Sequence, residues 1–443
     1  MNLLKQFNKF ESSFPATGPV RVGRGKAHAA ALSLGLPTRK SEDWKYTSLK
    51  ALDEVSWIPA QLNRRPLSLE HSQQIASMLP AGFTNLVFVN GEFIPQHSSP
   101  LPGDFTWTES ESFDLTPTSS SSSAASFFET LQGVYFQKRF VLNIPPETSL
   151  SRPIHILSVN YQQEPVDSAA VSGTMIQVHL TVTVGARAKA SIVESYLTLP
   201  NSDRTSSEEA GSLTLSNVLT RIALGSSANL SYLRIQRECD SAFHLGQTEF
   251  TQEQNSNLES LSLSLGGQLS RHQLQVKLVG PEATSKIYGA YVGRKNQHHD
   301  SQTAIQHLVG DCSTKQLYKG LLDGKSRGVF NGKICIARGA QKASSEQLNS
   351  NLLLSHLAEV DSKPQLEINA DDVKATHGST VGPLDQEELF YLLSRGIPKS
   401  KAIALLSFGF VAETVEEISN PEIKNLAISH LNEVFQKLES INL

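Results

Sequence analysis

Two stretches of this chain match each other at a distance of 30 residues: Leu278-Val279-Gly280 is followed by Tyr288, and Leu308-Val309-Gly310 by Tyr318. A looser copy runs from Leu322-Asp323-Gly324 to Phe330. Turn glycines fall at 280, 293, 310, 324 and 339, in steps of 13, 17, 14 and 15 residues. Between them lie short segments with strand character, and Leu261-Ser262-Leu263-Ser264-Leu265 alternates as a strand with one buried face does. Further strand-like segments over 175–184, 191–199, 217–224 and 230–236 extend the pattern upstream with little helix between them. A repeat of this length made of strands and turns stacks coil on coil, because one unit cannot bury its own apolar face. A β-sandwich needs no such self-match. Residues 141–383 are therefore expected to form a parallel β-helix, and the fold class is mainly β.

The flanks read differently. Residues 1–140 mix helix and strand signals. Gly25 to Leu36 is Ala- and Leu-rich and stops at Pro37 as a short helix would, and Ser41-Glu42-Asp43-Trp44 reads as an N-cap with an acidic first turn. Asn90-Gly91 inside Val87–Ile94 predicts a hairpin, since both residues accept positive φ. Thr116 to Ser126, with five consecutive serines from Ser119 to Ser123, reads as a surface linker. After Pro383 the pattern is helical. Asp385 caps a helix that closes at Gly396. Pro398 opens a second helix, with Ile403, Leu406, Phe410 and Val411 as its buried stripe. Asn420-Pro421 opens a third, with Ile423, Leu426, Leu431, Val434 and Leu438 at helical spacing.

The formal charge of −4 excludes a strong basic field for nucleic acid or anionic lipid. Beyond Pro383 nine acidic residues face five basic ones, so the whole excess sits in that tail, which favours a protein partner there. The three cysteines, Cys239, Cys312 and Cys335, form no Cys-x-x-Cys pair, which argues against a disulfide scaffold or a Cys-rich metal site within this chain alone. Met1 to Phe7 lacks an apolar signal core and no run of bilayer length occurs, so a cytoplasmic location is expected.

Four motifs carry residue types with potential for chemistry. Gly320 to Ser326 has three residues between its glycines where a phosphate loop needs four, and strand rather than helix signals follow, so ATP is not expected to bind here. Asp371-Asp372 are neighbours whose side chains diverge on a strand, which suits a turn better than acid–base catalysis. On a strand His298 and Asp300 would share a face and could hold a metal, but two ligands do not make a site, and a surface role is favoured. His377, flanked by Ala375, Thr376, Gly378 and Ser379, is a lone imidazole among small residues, accessible by virtue of its neighbours.

Ala358-Glu359-Val360-Asp361-Ser362-Lys363-Pro364-Gln365-Leu366-Glu367-Ile368, running into Asp371-Asp372-Val373-Lys374, His377-Gly378, Leu389-Phe390-Tyr391-Leu392 and Ser394-Arg395-Gly396-Ile397, closely resembles the SufB/SufD family of the SUF iron–sulfur assembly system. Ser41-Glu42-Asp43-Trp44-Lys45-Tyr46-Thr47 matches as well. The D type fits better: the B type typically carries His-Glu where this chain has His377-Gly378, together with a cysteine that Ala375-Thr376 does not offer. The resemblance implies a right-handed parallel β-helix over 141–383, between an N-terminal α/β domain over 1–140 and a C-terminal helical domain over 384–443. It implies a non-catalytic scaffold that pairs with SufB through the β-helix and binds the SufC ATPase through its C-terminal helices. His377 is then the candidate iron or cluster ligand at the SufB interface. No cofactor would be held stably by this chain alone, iron or a nascent cluster being transient in the complex, and the isolated chain is expected to be able to form a homodimer. The competing readings are a β-helix carbohydrate-active enzyme, which would need clustered acids in a groove, and a purely structural solenoid.

Overall fold

Consecutive strands of the long central region alternate between two parallel sheets. The computed structural model describes residues 1–14, 18–62, 67–101, 105–110, 125–161, 172–199 and 213–439, so the serine-rich linker expected from Thr116 lies for the most part outside the described residues. Helices α1 (Phe7–Ser12), α2 (Pro19–Leu34), α3 (Lys50–Asp53), α4 (Leu69–Met78) and α5 (Ala125–Val134) are interspersed with strands β1 (Ser56–Pro59), β2 (Thr84–Val89), β3 (Glu92–Phe93) and β4 (Thr106–Ser110). There follow β5 (Arg139–Ile144), β6 (Ile154–Asn160), β7 (Ser172–Val184), β8 (Lys189–Thr198), β9 (Thr214–Leu224), β10 (Asn229–Arg237), β11 (Phe243–Gln252) and β12 (Asn257–Ser264). The series continues with β13 (Leu269–Leu278), β14 (Thr284–Gly293), β15 (His298–His307), β16 (Ser313–Leu322), β17 (Arg327–Ile336), β18 (Ser344–Leu353), β19 (Glu359–Ile368) and β20 (Lys374–Gly382). Helices α6 (Gln386–Ser394), α7 (Lys399–Glu416) and α8 (Pro421–Glu439) close the chain.

From β5 onward odd strands join one sheet, which ends at β19, and even strands join the other, which ends at β20. Both are parallel through this region. The fold is thus mainly β, with helices at both ends of the chain, as the sequence implied.

The repeat itself is slipped by one residue. Thr284 of β14 bonds Ser313 of β16 across a separation of 29 residues, not 30. Tyr288 therefore lies against Leu317, and it is Gly289 that meets Tyr318. One residue of slip turns a strand side chain to the opposite face. Tyr288 accordingly packs on the outer face with α7 and α8 residues, whereas Tyr318 points between the sheets toward Phe330. The corners differ from expectation too. Most of their positive-φ positions are occupied by other residues, among them Ser227, Asn255, Glu282, Lys295 and Asp311, with Gly324 the exception among the five turn glycines. Gly280 is a glycine for another reason: a Cβ there would collide with the backbone of Gln254, in the turn between β11 and β12.

Two kinds of column run between the sheets. One is apolar, with Ile222, Phe250, Val276, Ile305 and Ile334 stacked along the odd sheet. The other is polar and buried, and contains Glu194, Arg234, Glu238, His244 and His272. His244 Nδ1 lies 2.7 Å from Glu238 Oε2, and Glu238 also accepts from Asn160 at 3.0 Å and from Gln236 at 3.1 Å. Burial pushes the Glu194 carboxyl up and the His272 imidazole well down.

In the N-terminal region the Asn90-Gly91 turn joins β2 and β3 with φ of 48° and 80°, as predicted. Helix α2 starts earlier than expected, with Pro19 in its first turn. Ser41 precedes only a single 3-10 turn, Glu42–Trp44, and makes no side-chain cap bond.

Candidate functional site

At the end of the two sheets, β19 and β20 have a neighbour on one side only. Their outer edges are unequal. Glu359 N donates to Ser326 O and Asn369 N to Ile336 O, so odd-numbered residues of β19 turn toward β17 and even-numbered ones face outward. Pro364, which has no N–H, therefore falls on the outward edge, and charged Glu359, Asp361, Lys363 and Glu367 flank it along the strand. In β20, Lys374 N donates to Ala343 O, so the backbone groups of Ala375, His377, Ser379 and Val381 face outward, each with its N–H intact. Edge strands are commonly blunted by proline and charge. Here β19 carries both devices and β20 carries only Lys374 at its start.

His377 lies in the middle of β20, opposite Gln347 of β18, and is exposed. Around it the two sheets are tied at their open end: Ser362 of β19 lies 2.8 Å from Ser379 Oγ and donates to Asn349 Oδ1 at 2.7 Å. Asn351 donates to the same Asn349 oxygen at 2.7 Å. Among the described residues no group of three or more His, Cys, Asp or Glu side chains is placed to hold a metal ion. Asp371 and Asp372 occupy the exposed turn that leads into β20. Gly320 to Ser326 spans the end of β16 and the turn into β17, with no helix after it, which agrees with the rejection of a phosphate loop.

His298 and Asp300 do not have the surface role expected of them. Asp300 is 2% exposed. Thr47 donates to Asp300 Oδ2 at 2.6 Å and its oxygen lies 2.9 Å from His298 Nε2. Arg271 forms an ion pair with the same carboxylate, and its guanidinium stacks 4.0 Å from the Trp44 ring. The segment Ser41–Thr47 is thereby clamped onto the outer face of the odd sheet, and Glu42 reaches Lys363 of β19 at 2.6 Å. That hydrogen bond holds the Glu42 carboxyl below its ordinary value. Beside it Lys333 pairs with Glu367 at 2.7 Å, and the Cys335 thiol donates to Glu367 at 3.3 Å. Burial, and then that bond, push the Cys335 thiol up to about 11. The sequence did not reveal this cluster because Thr47 lies 253 residues from Asp300.

The C-terminal helices cover the outer face of the even sheet. Val411, Val415, Ile423, Leu431 and Val434 pack with Leu233, Leu261 and Leu263 of the strands beneath. In α7 the buried positions are Ala402, Ala404, Ser407, Val411, Ala412, Thr414 and Val415, while Ile403, Leu406 and Phe410 are only half-buried. Small residues at the contact let the helix lie close against its neighbours, so the expected stripe is displaced around the helix. The side chain of Leu438 lies outside the described residues. Some acids of this region are engaged within the chain rather than left over for a partner, whereas Glu387, Glu388 and Glu422 are exposed. Glu413 pairs with Lys319, Glu417 with Lys315 at 3.0 Å, and Glu259 takes the Ser419 hydroxyl at 2.6 Å. Apolar side chains are exposed here as well: Phe390 (71% exposed) and Tyr391 (56%) on α6, with Leu405 on α7. Asp385 caps α6 through the backbone N–H groups of Glu387 and Glu388, and Gly396 ends it with φ +80°.

These features define a class: a parallel two-sheet β protein with helical termini, whose last strands leave their outer backbone unpaired around an exposed histidine. Residues 167–410 match the family model described as SUF system FeS cluster assembly, SufBD core domain. The chain is 30% identical to the iron–sulfur cluster assembly protein SufD of Escherichia coli K12, over 98% of this chain and 96% of that one. It is 32% identical to an iron–sulfur cluster assembly SufBD family protein of Synechocystis, over 87% and 84%, and 26% identical to the chloroplastic protein ABCI7 of Arabidopsis thaliana, over 93% and 86%. The chain belongs to the SufBD family of iron–sulfur cluster assembly proteins, as a SufD-type member. The carbohydrate-active reading gives way to that membership. No helix among the described residues is long and apolar enough to cross a membrane.

Proposed function

We propose that this chain is a non-catalytic scaffold subunit of a cytoplasmic SUF complex, in which its open strand end pairs with a SufB-type subunit. In this reading the two sheets are the walls of a right-handed parallel β-helix, and β20 offers its free backbone to the partner. Iron or a nascent cluster is cargo, held between subunits rather than resident in this one. His377 supplies one ligand, and the partner supplies the rest, since no cysteine lies in β20. Imidazole serves beside thiolates in mixed cluster sites. The observation that carries the reading is the position of His377: exposed, and at the centre of a strand edge that, unlike that of β19, has neither proline nor charge in its middle. Replacing His377 with Ala should leave the complex assembled but lower its iron and cluster content. Normal loading of that variant would sink the ligand role, and loss of the complex itself would point to a structural one.

The same reading gives the ATPase partner, SufC, the apolar face of α6. Phe390→Ala with Tyr391→Ala should weaken co-purification of the ATPase while the circular dichroism and melting temperature of the chain stay unchanged. Undiminished capture of the ATPase by the double variant would refute the assignment.

A further inference from the structure

We propose that Gln347 is a positioning residue for His377: its side-chain carbonyl takes one imidazole N–H and so fixes which ring nitrogen is left with a free lone pair at the edge of β20. The inference rests on the reading of His377 as a ligand. β18 and β20 place Gln347 opposite His377, and side chains opposite one another on adjacent strands share a face. That face is the interior one, where Gln347 is 1% exposed.

The orientation of the Gln347 amide is set from the other side. Gln347 Nε2 donates to Gln316 Oε1 at 2.6 Å, and Gln316 Nε2 donates in turn to Thr303 Oγ1 at 2.7 Å. Gly332 of β17 makes room for it, since a Cβ there would collide with Gln347 Nε2. Turning the amide over would set its oxygen against Gln316 Oε1, two acceptors face to face. With Gln316 donating to Thr303, as it does here, the ladder Thr303–Gln316–Gln347 leaves an acceptor, Gln347 Oε1, on the side away from Gln316, toward β20. That oxygen is buried and has no hydrogen-bond partner among the described residues. A buried polar atom seeks a donor. Across the interior the next residue in the Thr303–Gly332 column is Pro364, which has no N–H and no polar side chain. Ser379, the other polar neighbour on that face of β20, is already engaged with Ser362. The imidazole N–H is the remaining candidate in register. A carbonyl on one ring N–H fixes tautomer and ring orientation, the arrangement in which histidines hold metals.

The test uses the full chain with ¹⁵N-labelled histidine, the His377 signals being assigned by their loss in His377→Gln. One tautomer should dominate in the wild-type protein. Gln347→Met, close in shape but without the acceptor, should shift the tautomer ratio about five- to tenfold, the equilibrium equivalent of one net hydrogen bond. Gln347→Glu keeps an acceptor toward β20, with Gln316 turned over to donate to the carboxylate and to accept from the Thr303 hydroxyl, and should restore the single tautomer, a rescue that a purely structural role would not give. An unchanged ratio in Gln347→Met, or a mixture persisting in Gln347→Glu, overturns the inference. Failure of the ligand reading would look different: normal iron loading of the His377→Ala complex, with the tautomer shift still present in Gln347→Met.

Discussion

Cys335 illustrates how far a residue's surroundings decide its chemistry. It is the cysteine nearest in sequence to His377, and it lines the cleft beneath Ser41–Asp43 together with Lys333 and Glu367. A neighbouring lysine would ordinarily favour a thiolate, but Lys333 is committed to Glu367, and burial and the carboxylate together hold the thiol up at about 11. Against an ordinary value of 9.0, the thiolate population near neutral pH is about a hundredfold lower, and the greater nucleophilicity of a more basic sulfur returns about tenfold of that. Alkylation of Cys335 by iodoacetamide at pH 7.5, followed by peptide mass spectrometry, should therefore run about tenfold slower than that of a free cysteine. Labelling at the free rate would show that the Glu367 contact is not maintained. None of this was visible beforehand, because Cys335 and Glu367 are 32 residues apart and meet only through the β17–β19 register. The His298–Asp300 pair teaches the same lesson: its shared face was legible, but the threonine that buries it was not.

At the scale of elements, the strand character of the central region could be read from alternation and glycine spacing, since both follow from local backbone geometry. The register could not, because coil length varies between neighbours, from 29 residues at β14–β16 to 31 at β16–β18. A 30-residue match therefore averages over real offsets and assigns Tyr288 and Tyr318 to one face when they occupy two. The C-terminal helices were legible as helices from Asp385 and Gly396, but their docking was not, because the lysines that take Glu413 and Glu417 come from β16. That docking forbids a simple truncation test, since removing residues 385–443 would bare Leu233, Leu261 and Leu263 to water. The open end offers a cleaner one. Val381→Pro removes an outward N–H from β20 while keeping all its bonds to β18 and the Ser362–Ser379 contact, a change edge strands tolerate. It should weaken association with the SufB-type partner at least tenfold, about 1.4 kcal/mol, without lowering the melting temperature appreciably. Unchanged affinity would mean that the partner does not add to the β20 edge.

Several of the chain's histidines are buried, and this makes its stability depend on pH in a defined direction. His155, His299 and His430 are lowered by burial to about 3, and His307 to about 4, from an ordinary value of 6.5. Each ring is neutral in the folded chain and takes up a proton more readily once unfolded. Between the folded value and 6.5 the unfolded state thus binds more protons, so stability is complete above about pH 6.5 and is lost as the pH falls. At pH 5 each ring costs about 2 kcal/mol, and the four together about 8 kcal/mol, comparable with the whole stability of an ordinary domain. Glu194 works the other way, because its carboxyl is pushed up by burial and acid relieves that cost. The four histidines lie on β6, β15 and α8, so the loss reaches both sheets and the helices that cover them. Thermal melts should accordingly be level between pH 8 and 7 and fall steeply below pH 6, with the sheet and helix signals of circular dichroism lost together. His155→Gln, which keeps a donor and an acceptor between Asn85 and Ser195 but cannot take up a proton, should shift the acid midpoint downward. A melting temperature flat from pH 8 to pH 5 would mean that these rings are reached by water in the folded state, and the packing described for the interior would then be wrong.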